Sequence, residues 1–250
     1  MEFKRKKTIY ECVFKRFFDF FISLVAILLL LPLFLILIIA SKISIGGKVF
    51  FCQYRPGKNG KVFKLIKFRS MTNEIDENGV LLPDSQRITK FGKFLRKTSL
   101  DEIPQLFNIL AGQMAIVGPR PRLVKDMVFY SNEVLVAYSV RPGLTGKSQV
   151  SGGRSESSWE QIFEDDLSYC KKITFFGDIK ILFQTVKAIF SHDSSSEGAS
   201  SSKREYYYAD YLLKTNKISQ EQYNDGLKLS EEIIKNKGAV KFNENLQPNT

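Results

Sequence analysis

FFDFFISLVAILLLLPLFLILIIAS, residues 17–41, is the most hydrophobic stretch of the chain, and the rest of the fold has to be arranged around it. Between Phe20 and Ala40 it contains no charged side chain. As a helix, a run of this length can cross a bilayer core of roughly 30 Å. It is too long for the hydrophobic region of a cleaved signal peptide, and no small-x-small cleavage site follows it. We therefore predict a membrane-embedded helix over residues 17–41.

Pro32 and the basic flanks of this segment argue against a plain crossing. Pro32 lies in its middle, where it removes a backbone hydrogen bond and clashes with a carbonyl, so the helix should bend. Basic side chains lie on both sides of the segment, and such flanks favour the cytoplasmic side of a membrane. A re-entrant hairpin satisfies both flanks, and Ser23 can assist the bend by hydrogen-bonding to a carbonyl one turn earlier. The pattern alone also allows an ordinary spanning anchor that tolerates its proline.

Length and net charge limit the number of domains and the class of partner. The chain has 250 residues and a formal net charge of +11 at pH 7. Without the membrane segment and a polar tail, roughly 150 residues remain, which is enough for one domain with its own core. On a membrane-attached chain, the positive charge indicates anionic headgroups and a phosphorylated substrate. Nucleic acid is not an expected partner, because the chain carries no nucleic-acid-binding motif.

Cysteine and histidine usage excludes several classes of site. Cys12, Cys52 and Cys170 are far apart and odd in number, which fits a reducing cytosol and neither a disulfide framework nor a zinc site. The single histidine, His192, lies in a serine-rich stretch. A His-based catalytic triad or a His-rich metal site is therefore not expected.

We predict an α+β, mainly helical fold, in which a re-entrant membrane helix-hairpin carries a small cytoplasmic domain with a β-hairpin and interfacial amphipathic helices. The expected order is a basic interfacial lead-in at 1–16, the membrane helix at 17–41, the cytoplasmic domain at 42–190, a serine-rich linker at 191–203, and a C-terminal helix pair with a disordered tail at 204–250. Ser219 and Gln222 form a capping box before the second helix of the pair. The pair is too small for an active site, so we expect it to dock a partner or to self-associate.

Two basic segments follow the membrane helix. Residues 49–55 and 62–68 are rich in β-branched and aromatic residues, and PGKNG between them predicts a turn, so we expect a β-hairpin. Its second strand leads into Lys67 and Arg69, which either contact phosphate or lie on a solvated basic face. Residues 88–97 form a short basic amphipathic segment that includes Arg96. It suits either an anionic surface or a core-facing helix with a charged outer side.

The most informative stretch is TSLDEIPQLFNILAGQMAIVGPRPR, residues 98–122. Pro104 is placed as in the first turn of a helix and Gly112 as at its end. Asp101 and Glu102 then lie at the helix N-terminus, where the partial positive charge favours ionised carboxylates and the free amides can bind anions. An alternative without catalysis remains, because Ser99 followed by Glu102 is also a capping box.

Two turns rich in proline and glycine carry arginines. In Gly118-Pro-Arg-Pro-Arg122 the prolines fix the backbone and hold Arg120 and Arg122 in place, and arginine suits bidentate phosphate recognition. The alternative is a simple proline turn with solvated arginines. A second turn, RPGLTG at 141–146, carries Arg141.

The region after residue 146 gives weaker signals. Residues 147–150 can form a short strand, and SGGRSESS at 151–158 reads as a flexible loop. Residues 159–170 predict a helix whose acidic run, which includes Asp165 and Asp166, we expect on a solvated face; a role in metal or ribose binding is the alternative. Asp178 is expected to cap the helix that follows it.

Four pieces together resemble the bacterial sugar transferases, in particular the small monotopic phosphoglycosyl transferases. They are the basic-flanked hydrophobic segment with Pro32, KLIKFRSM at 64–71, TSLDEIPQLFNILAGQMAIVGPRP at 98–121, and RPGLTGKSQVSG at 141–152. The resemblance covers about residues 12–190, and the tandem of DEIPQ and GPRP is highly specific. Lys147 departs from the family, which commonly has Trp there. The resemblance favours the re-entrant hairpin over a spanning anchor, and a catalytic Glu102 over a capping box.

The resemblance implies transfer of a sugar-1-phosphate from a UDP-sugar to polyprenyl (undecaprenyl) phosphate with release of UMP. This is the first membrane step of capsule, O-antigen or other glycoconjugate synthesis. The expected location is the bacterial inner membrane, in a monotopic arrangement with the catalytic domain in the cytoplasm and in contact with membrane lipid. The implied sugar is galactose or an N-acetylated hexosamine derivative, and a homodimer or downstream glycosyltransferases are possible partners.

The resemblance also assigns roles to residues. Asp101 is the expected nucleophile, which forms an aspartyl-phosphosugar intermediate, and Glu102 acts beside it; the two carboxylates are the expected ligands of the Mg²⁺ cofactor. The expected substrate and phosphate contacts are the basic side chains of Lys67, Arg69, Arg96, Arg120, Arg122 and Arg141. The competing hypothesis is a non-catalytic membrane-bound scaffold, which recruits polysaccharide-assembly partners through the C-terminal helix pair.

Overall fold

A single long helix dominates the computed structural model, which describes residues 7–151, 158–190 and 207–248. Helix α1, Lys15–Ile45, follows one π-helical turn, Tyr10–Phe14, and ends at Gly46 in the left-handed conformation (φ +74°). Within the described ranges, Tyr10–Ile45 is the one helix long and apolar enough to cross a membrane, judged by length and composition. The helix expected over residues 17–41 is therefore confirmed, although α1 extends past both of those limits, and its embedding in a membrane stays a prediction.

Helix α1 continues through Pro32 without a break in its helical structure. The physical reason is that proline removes a single hydrogen bond, and the apolar residues on both sides keep their own helical bonds. Ser23 Oγ donates to the Phe20 carbonyl at 2.9 Å, as predicted. The re-entrant path of the chain, with Ser23 and Pro32 at its bend, stays a prediction.

One face of α1 packs along the rest of the protein. Its buried side chains are three, four or seven positions apart and thus form one stripe: Lys15, Asp19, Ser23, Ile27, Phe34, Leu37 and Ser41. The other faces expose large apolar side chains from Phe17 to Ile43. Helix α1 is therefore a wall of the domain on one side and an apolar surface on the other.

Two small sheets organise the domain. Strands β1, Phe50–Pro56, and β2, Val62–Phe68, form the predicted antiparallel hairpin, with Phe50 opposite Phe68 and Pro56 opposite Val62. Asn59 and Gly60 in the turn have positive φ, which these two residue types tolerate. Strands β3, Ala115–Val117, and β4, Gly143–Thr145, pair in parallel.

The remaining regular structure is helical, which confirms the mainly helical class. The helices are α2, Asp84–Arg87; α3, Lys90–Lys97; α4, Gln105–Leu110; α5, Val124–Met127; α6, Asn132–Val136; α7, Lys147–Val150; α8, Trp159–Lys171; α9, Phe175–Phe190; α10, Tyr208–Lys214; and α11, Gln220–Lys235. The strand expected at 147–150 is wrong, because β4 pairs with β3 just before it and the chain then turns into α7. The loop expected at 151–158 and the linker expected at 191–203 fall largely or wholly outside the described residues.

The largest hydrophobic core joins the C-terminal helix pair to the domain. It contains Phe129 and Tyr130 after α5, together with Ala209, Leu212 and Val240 from the C-terminal part. The Val62 N–H donates to the Gly238 carbonyl, and the Val240 N–H donates to the Gly60 carbonyl, both at 3.0 Å. The capping box of Ser219 and Gln222 forms as predicted. The pair thus packs against the hairpin and α5, while its predicted docking or self-association stays a prediction.

Candidate active site

A tight turn places the two adjacent carboxylates. Leu100–Glu102 is one turn of 3-10 helix, Pro104 is the N-cap of α4, and α4 ends at Leu110, near Gly112 as expected. Ser99, before the turn, has a left-handed backbone (φ +57°), and its side chain makes no capping bond. The alternative of a Ser99–Glu102 capping box is therefore wrong. Asp101 and Glu102 are instead both buried, with 9% and 8% of their surface exposed.

Two cations converge on Glu102. Lys67, at the end of β2, places Nζ 2.6 Å from Glu102 Oε1 and 3.9 Å from Asp101 Oδ2. Arg120 Nη2 lies 3.4 Å from the same Glu102 oxygen. Burial lowers the pKa of Lys67; the two carboxylates oppose this effect and Arg120 adds to it. A second anion beside Lys67 would favour its charged form.

These residues open onto a polar cavity of about 590 Å³. This volume lies within the range of small-molecule sites. Asp101 and Glu102 form part of its wall, and six basic side chains surround them: Arg55, Lys67, Arg69, Arg87, Arg96 and Arg120. Four predicted phosphate contacts, Lys67, Arg69, Arg96 and Arg120, are therefore brought together with both carboxylates.

Two predicted contacts lie elsewhere. The Arg122 guanidinium stands 5.5 Å from the centre of the Trp159 ring. Burial lowers the pKa of Arg122, but Asp166, with smaller contributions from Tyr138, Tyr130 and Asp126, outweighs this effect and raises the pKa above its ordinary value. Arg141 Nε donates to the Gly112 carbonyl at 2.9 Å. Neither side chain is part of the polar cavity wall, and each holds a neighbouring segment in place.

Sequence reasoning missed Arg55, Arg87 and Tyr207, which also line the polar cavity. Arg55 Nη2 donates to Gln53 Oε1 at 2.6 Å, and burial together with nearby Arg120 lowers its pKa to about 10. A signal for Arg55 existed, because alternate residues of a hairpin share one face. The odd-numbered positions of both strands, from 51 to 55 and from 65 to 69, face this cavity.

A second cavity, also of about 590 Å³, lies on the α1 side of the same turn. Its wall is largely apolar, with Ala26 and Leu30 from α1 and Leu182 and Ile189 from α9. Glu102 and Arg96 line both cavities. The carboxylate turn therefore separates a basic chamber from an apolar one.

The start of α1 is fastened to the catalytic segment by hydrogen bonds. Arg16 donates to the carbonyls of Ile109 and Leu110, at 2.6 and 2.8 Å, and so satisfies the C-terminal end of α4. Asp19 Oδ1 accepts from the Ile116 N–H at 3.0 Å. These bonds therefore fix the positions of α4 and β3 relative to the start of α1.

The acidic residues after residue 158 do not behave as expected. Asp165 and Asp166 are both buried, so the solvated face is wrong for these two residues. Burial of Asp166, against the opposing effect of Arg122, raises its pKa to about 6. Asp178 does not cap its helix but accepts hydrogen bonds from Tyr10, Lys15 and Tyr169. In both cases a long-range partner, invisible in local sequence, determines the position.

Asp101 and Glu102 are the residues that could hold a metal ion. Among the described residues, no group of three or more histidine, cysteine, aspartate or glutamate side chains could do so. Mg²⁺ is commonly bound by one or two carboxylates together with substrate phosphates. The carboxylate pair fits a Mg²⁺ shared with a phosphorylated substrate, and it does not fit a site made by protein alone.

Known proteins share much of this sequence. Residues 10–192 match the family model described as bacterial sugar transferase. The chain is 43% identical over 177 residues to the uncharacterized sugar transferase EpsL of Bacillus subtilis, a match that covers 71% of this chain and 87% of EpsL. It is 39% identical over 194 residues to the exopolysaccharide production protein ExoY of Rhizobium meliloti, covering 70% and 84%.

A longer relative has a more specific name. The UDP-glucose:undecaprenyl-phosphate glucose-1-phosphate transferase of Klebsiella pneumoniae is 40% identical over 192 residues. That match covers 73% of this chain but 41% of the Klebsiella protein. The chain thus spans less than half the length of that transferase, whereas it spans most of EpsL and ExoY.

Proposed function

The chain belongs to the bacterial sugar transferase family and is an enzyme, and from this premise we propose that it transfers a sugar-1-phosphate from a UDP-sugar to undecaprenyl phosphate. One observation carries the proposal. The adjacent carboxylates of Asp101 and Glu102 lie where a basic cavity meets an apolar one. A water-soluble diphosphate fits the first cavity and a lipid chain fits the second.

The first step is attack by an Asp101 oxygen on the phosphorus that carries the sugar. A new aspartyl O–P bond forms, the bond to the bridging oxygen breaks, and UMP leaves with the electron pair. A carboxylate that approaches a diphosphate is repelled, and Lys67 and Arg120 are close enough to reduce that repulsion. In the second step an oxygen of undecaprenyl phosphate attacks the same phosphorus and regenerates Asp101.

Glu102 would bind the acceptor phosphate and the metal ion. It belongs to the walls of both cavities, so it lies between the donor and the acceptor. Asp101 and Glu102 would hold Mg²⁺ together with substrate phosphates, and the ion would neutralise negative charge on the phosphoryl group. Lys67 and Arg120 orient Glu102 from the other side.

The apolar cavity fits the polyprenyl chain of the acceptor. Ala26 and Leu30 of α1 and Leu182 of α9 line it, and burial of an isoprenoid chain there removes apolar surface from water. The exposed apolar residues around it, including Phe176 and Phe183 on α9, would contact inner-membrane lipid. The acceptor can then enter sideways from the bilayer.

Contacts along α1 favour the monotopic arrangement with a cytoplasmic domain. Arg16 binds the end of α4, while Leu37 packs with Phe68 and Leu95, and these points are roughly 32 Å apart along the helix. That distance is close to the thickness of a bilayer core. A perpendicular crossing would draw the carboxylates and their cations, which lie between those points, into hydrocarbon, where burying charge is costly.

Substitution of Asp101 tests the reaction. We expect Asp101→Asn to abolish UMP release and formation of the sugar-phosphate adduct, because the amide is a poor nucleophile, while membrane insertion is kept. Asp84→Asn, at another carboxylate of the same cavity, is the control and should retain activity. The assay uses undecaprenyl phosphate with UDP-glucose, UDP-galactose and UDP-N-acetylhexosamines.

Two outcomes would contradict the proposal. Wild-type UMP release by Asp101→Asn would remove Asp101 from the mechanism. Absence of UMP release by the wild type with every donor of the panel would favour the non-catalytic scaffold.

A further inference from the structure

The C-terminal part of the chain contributes a side chain to the polar cavity. Tyr207 lines this cavity together with Arg55 and Arg120. It lies beyond residue 192, where the match to the family model ends. One wall of the carboxylate chamber therefore comes from outside the family domain.

Several contacts fix Tyr207 against the domain. Lys125 Nζ lies 4.8 Å from the centre of its ring and also pairs with Asp210 at 2.9 Å. Asp126 Oδ1 accepts from the Ala209 N–H at 3.1 Å. The cation lies over the aromatic ring, a favourable arrangement, and the adjoining helix α10 is anchored in the main core. Tyr207 is thus held at the cavity by α5 and α10.

The arginines of the polar cavity connect Tyr207 to the carboxylate of Glu102. Glu102 contacts Arg120 at 3.4 Å. Arg55 Nη1 in turn donates to the carbonyl of Pro121, the residue after Arg120, at 3.4 Å, and Tyr207 lines the same cavity as both arginines. From Glu102 the cavity wall thus continues through Arg120 to Arg55, and Tyr207 belongs to the same wall.

Given the proposed function, this arrangement indicates which part of the UDP-sugar Tyr207 would contact. Phosphoryl transfer places the attacking and leaving oxygens roughly in line, so the leaving nucleotide points away from the attacking carboxylate. Arg120 and Arg55 then contact the phosphate of the leaving UMP, and the nucleoside lies beyond that phosphate. Aromatic rings stack on bases, and this contact does not need the sugar of the donor. We propose that Tyr207 contacts the uracil of the donor and that the C-terminal segment forms its nucleotide-binding wall.

Binding of UMP to the full-length protein in detergent tests this proposal by titration calorimetry. We expect Tyr207→Ala to weaken UMP binding about tenfold or more, since it removes the ring. Tyr207→Phe keeps the ring and should bind within about twofold of the wild type. Tyr211→Ala is the matched control, because this tyrosine lies one turn further on α10 and does not line the cavity. Melting temperatures of all variants verify that the fold is intact.

The outcomes separate this inference from the proposed function. Failure of the wild type both to bind UMP and to release it from a UDP-sugar would overturn the function itself. Turnover by the wild type, with equal UMP affinity in Tyr207→Ala, would overturn the uracil contact alone. Weaker binding of the UDP-sugar but not of UMP would assign Tyr207 to the sugar and would also overturn the proposal.

Discussion

At the scale of single residues, Asp101 and Glu102 are neighbours in sequence but have different surroundings. Lys67 Nζ is within hydrogen-bond distance of Glu102 and 3.9 Å from Asp101. Glu102 also forms an ion pair with Arg120. A carboxylate held by two cations is a weaker nucleophile, so this difference agrees with attack by Asp101 and a binding role for Glu102.

Asp166 predicts a dependence of stability on pH. Its folded pKa, about 6, lies above the ordinary 3.8 mainly because it is buried; Arg122, Ser148 and Arg120 lower the pKa without cancelling that effect, and Asp165 adds to it. The unfolded chain binds fewer protons at this position between these two values, so the contribution of Asp166 to stability falls as pH rises through that window.

We therefore expect Asp166→Asn, which is neutral throughout, to gain stability relative to the wild type as pH rises from 5.0 to 7.5. The relative gain in the free energy of unfolding should be on the order of 1 kcal/mol. Melting temperatures of both proteins at the two pH values measure it. An identical difference at both values would show that Asp166 does not titrate in this range. Asp84→Asn, at an exposed carboxylate, is the control.

Residues of the site differ in how far sequence could predict them. Asp101, Glu102, Lys67 and Arg120 belong to compact motifs, and these four do come together. Arg122 belongs to the same motif, yet its partners, Trp159 and Asp166, come from α8 and could not be inferred locally.

At the scale of elements, helix α11 packs against Phe129, just after α5, at Gly226, where there is no room for a side chain. A Cβ built at Gly226 would lie 2.2 Å from Phe129 Cζ, far inside contact distance. The ring of Phe129 is fully buried and has little room to move away. Gly226 thus permits the close approach of the C-terminal helices to the domain core.

We expect Gly226→Ala to destabilise the protein by about 1–3 kcal/mol through overpacking. Thermal unfolding should show a melting temperature lower by several degrees. Gly238→Ala is the matched control, because a Cβ there would meet its nearest atom at 3.8 Å. Equal melting temperatures for the two variants would contradict the packing assigned to α11.

Elements defined by local patterns were predicted best. The hairpin of β1 and β2 follows from alternation and a turn sequence, and α4 follows from Pro104 and Gly112. Residues 147–150 were predicted incorrectly because four residues carry too little periodicity, and β4 had already taken the pairing with β3. Pairing between distant strands is a tertiary effect that local propensity does not contain.

At the scale of the whole molecule, two native cysteines report the path of the anchor. Cys12 lies before the apolar run and Cys52 after it, and both are exposed, whereas Cys170 is buried. For the monotopic arrangement we expect a membrane-impermeant thiol reagent to modify Cys12 and Cys52 in inverted membrane vesicles and neither in intact spheroplasts. The variants Cys12→Ser and Cys52→Ser assign each signal.

A spanning anchor gives a different pattern. Cys12 would then react from the periplasmic side and Cys52 from the cytoplasmic side, which would refute the monotopic arrangement. In Pro32→Leu, movement of Cys12 to the periplasmic side would support the role of Pro32 in the bend.

The organisation of the whole molecule was only partly predictable. The serine-rich composition of residues 191–203 suggested a separate helix pair beyond it. Composition does not contain the backbone bonds that join Gly60 to Val240 and Val62 to Gly238, nor the core shared by Phe129 and Leu212. Contacts over such sequence separations depend on the complete fold.

The buried stripe of α1 determines whether the domain can be produced without its N-terminal helix. A shortened chain that starts after Ile45 would leave Phe68 and Leu95 without their partners Phe34 and Leu37, and α4 without its arginine cap. Such a fragment would aggregate instead of yielding a soluble catalyst. A membrane helix taken from another protein would restore attachment to vesicles but not turnover, since it would lack the side chains that pack against the domain.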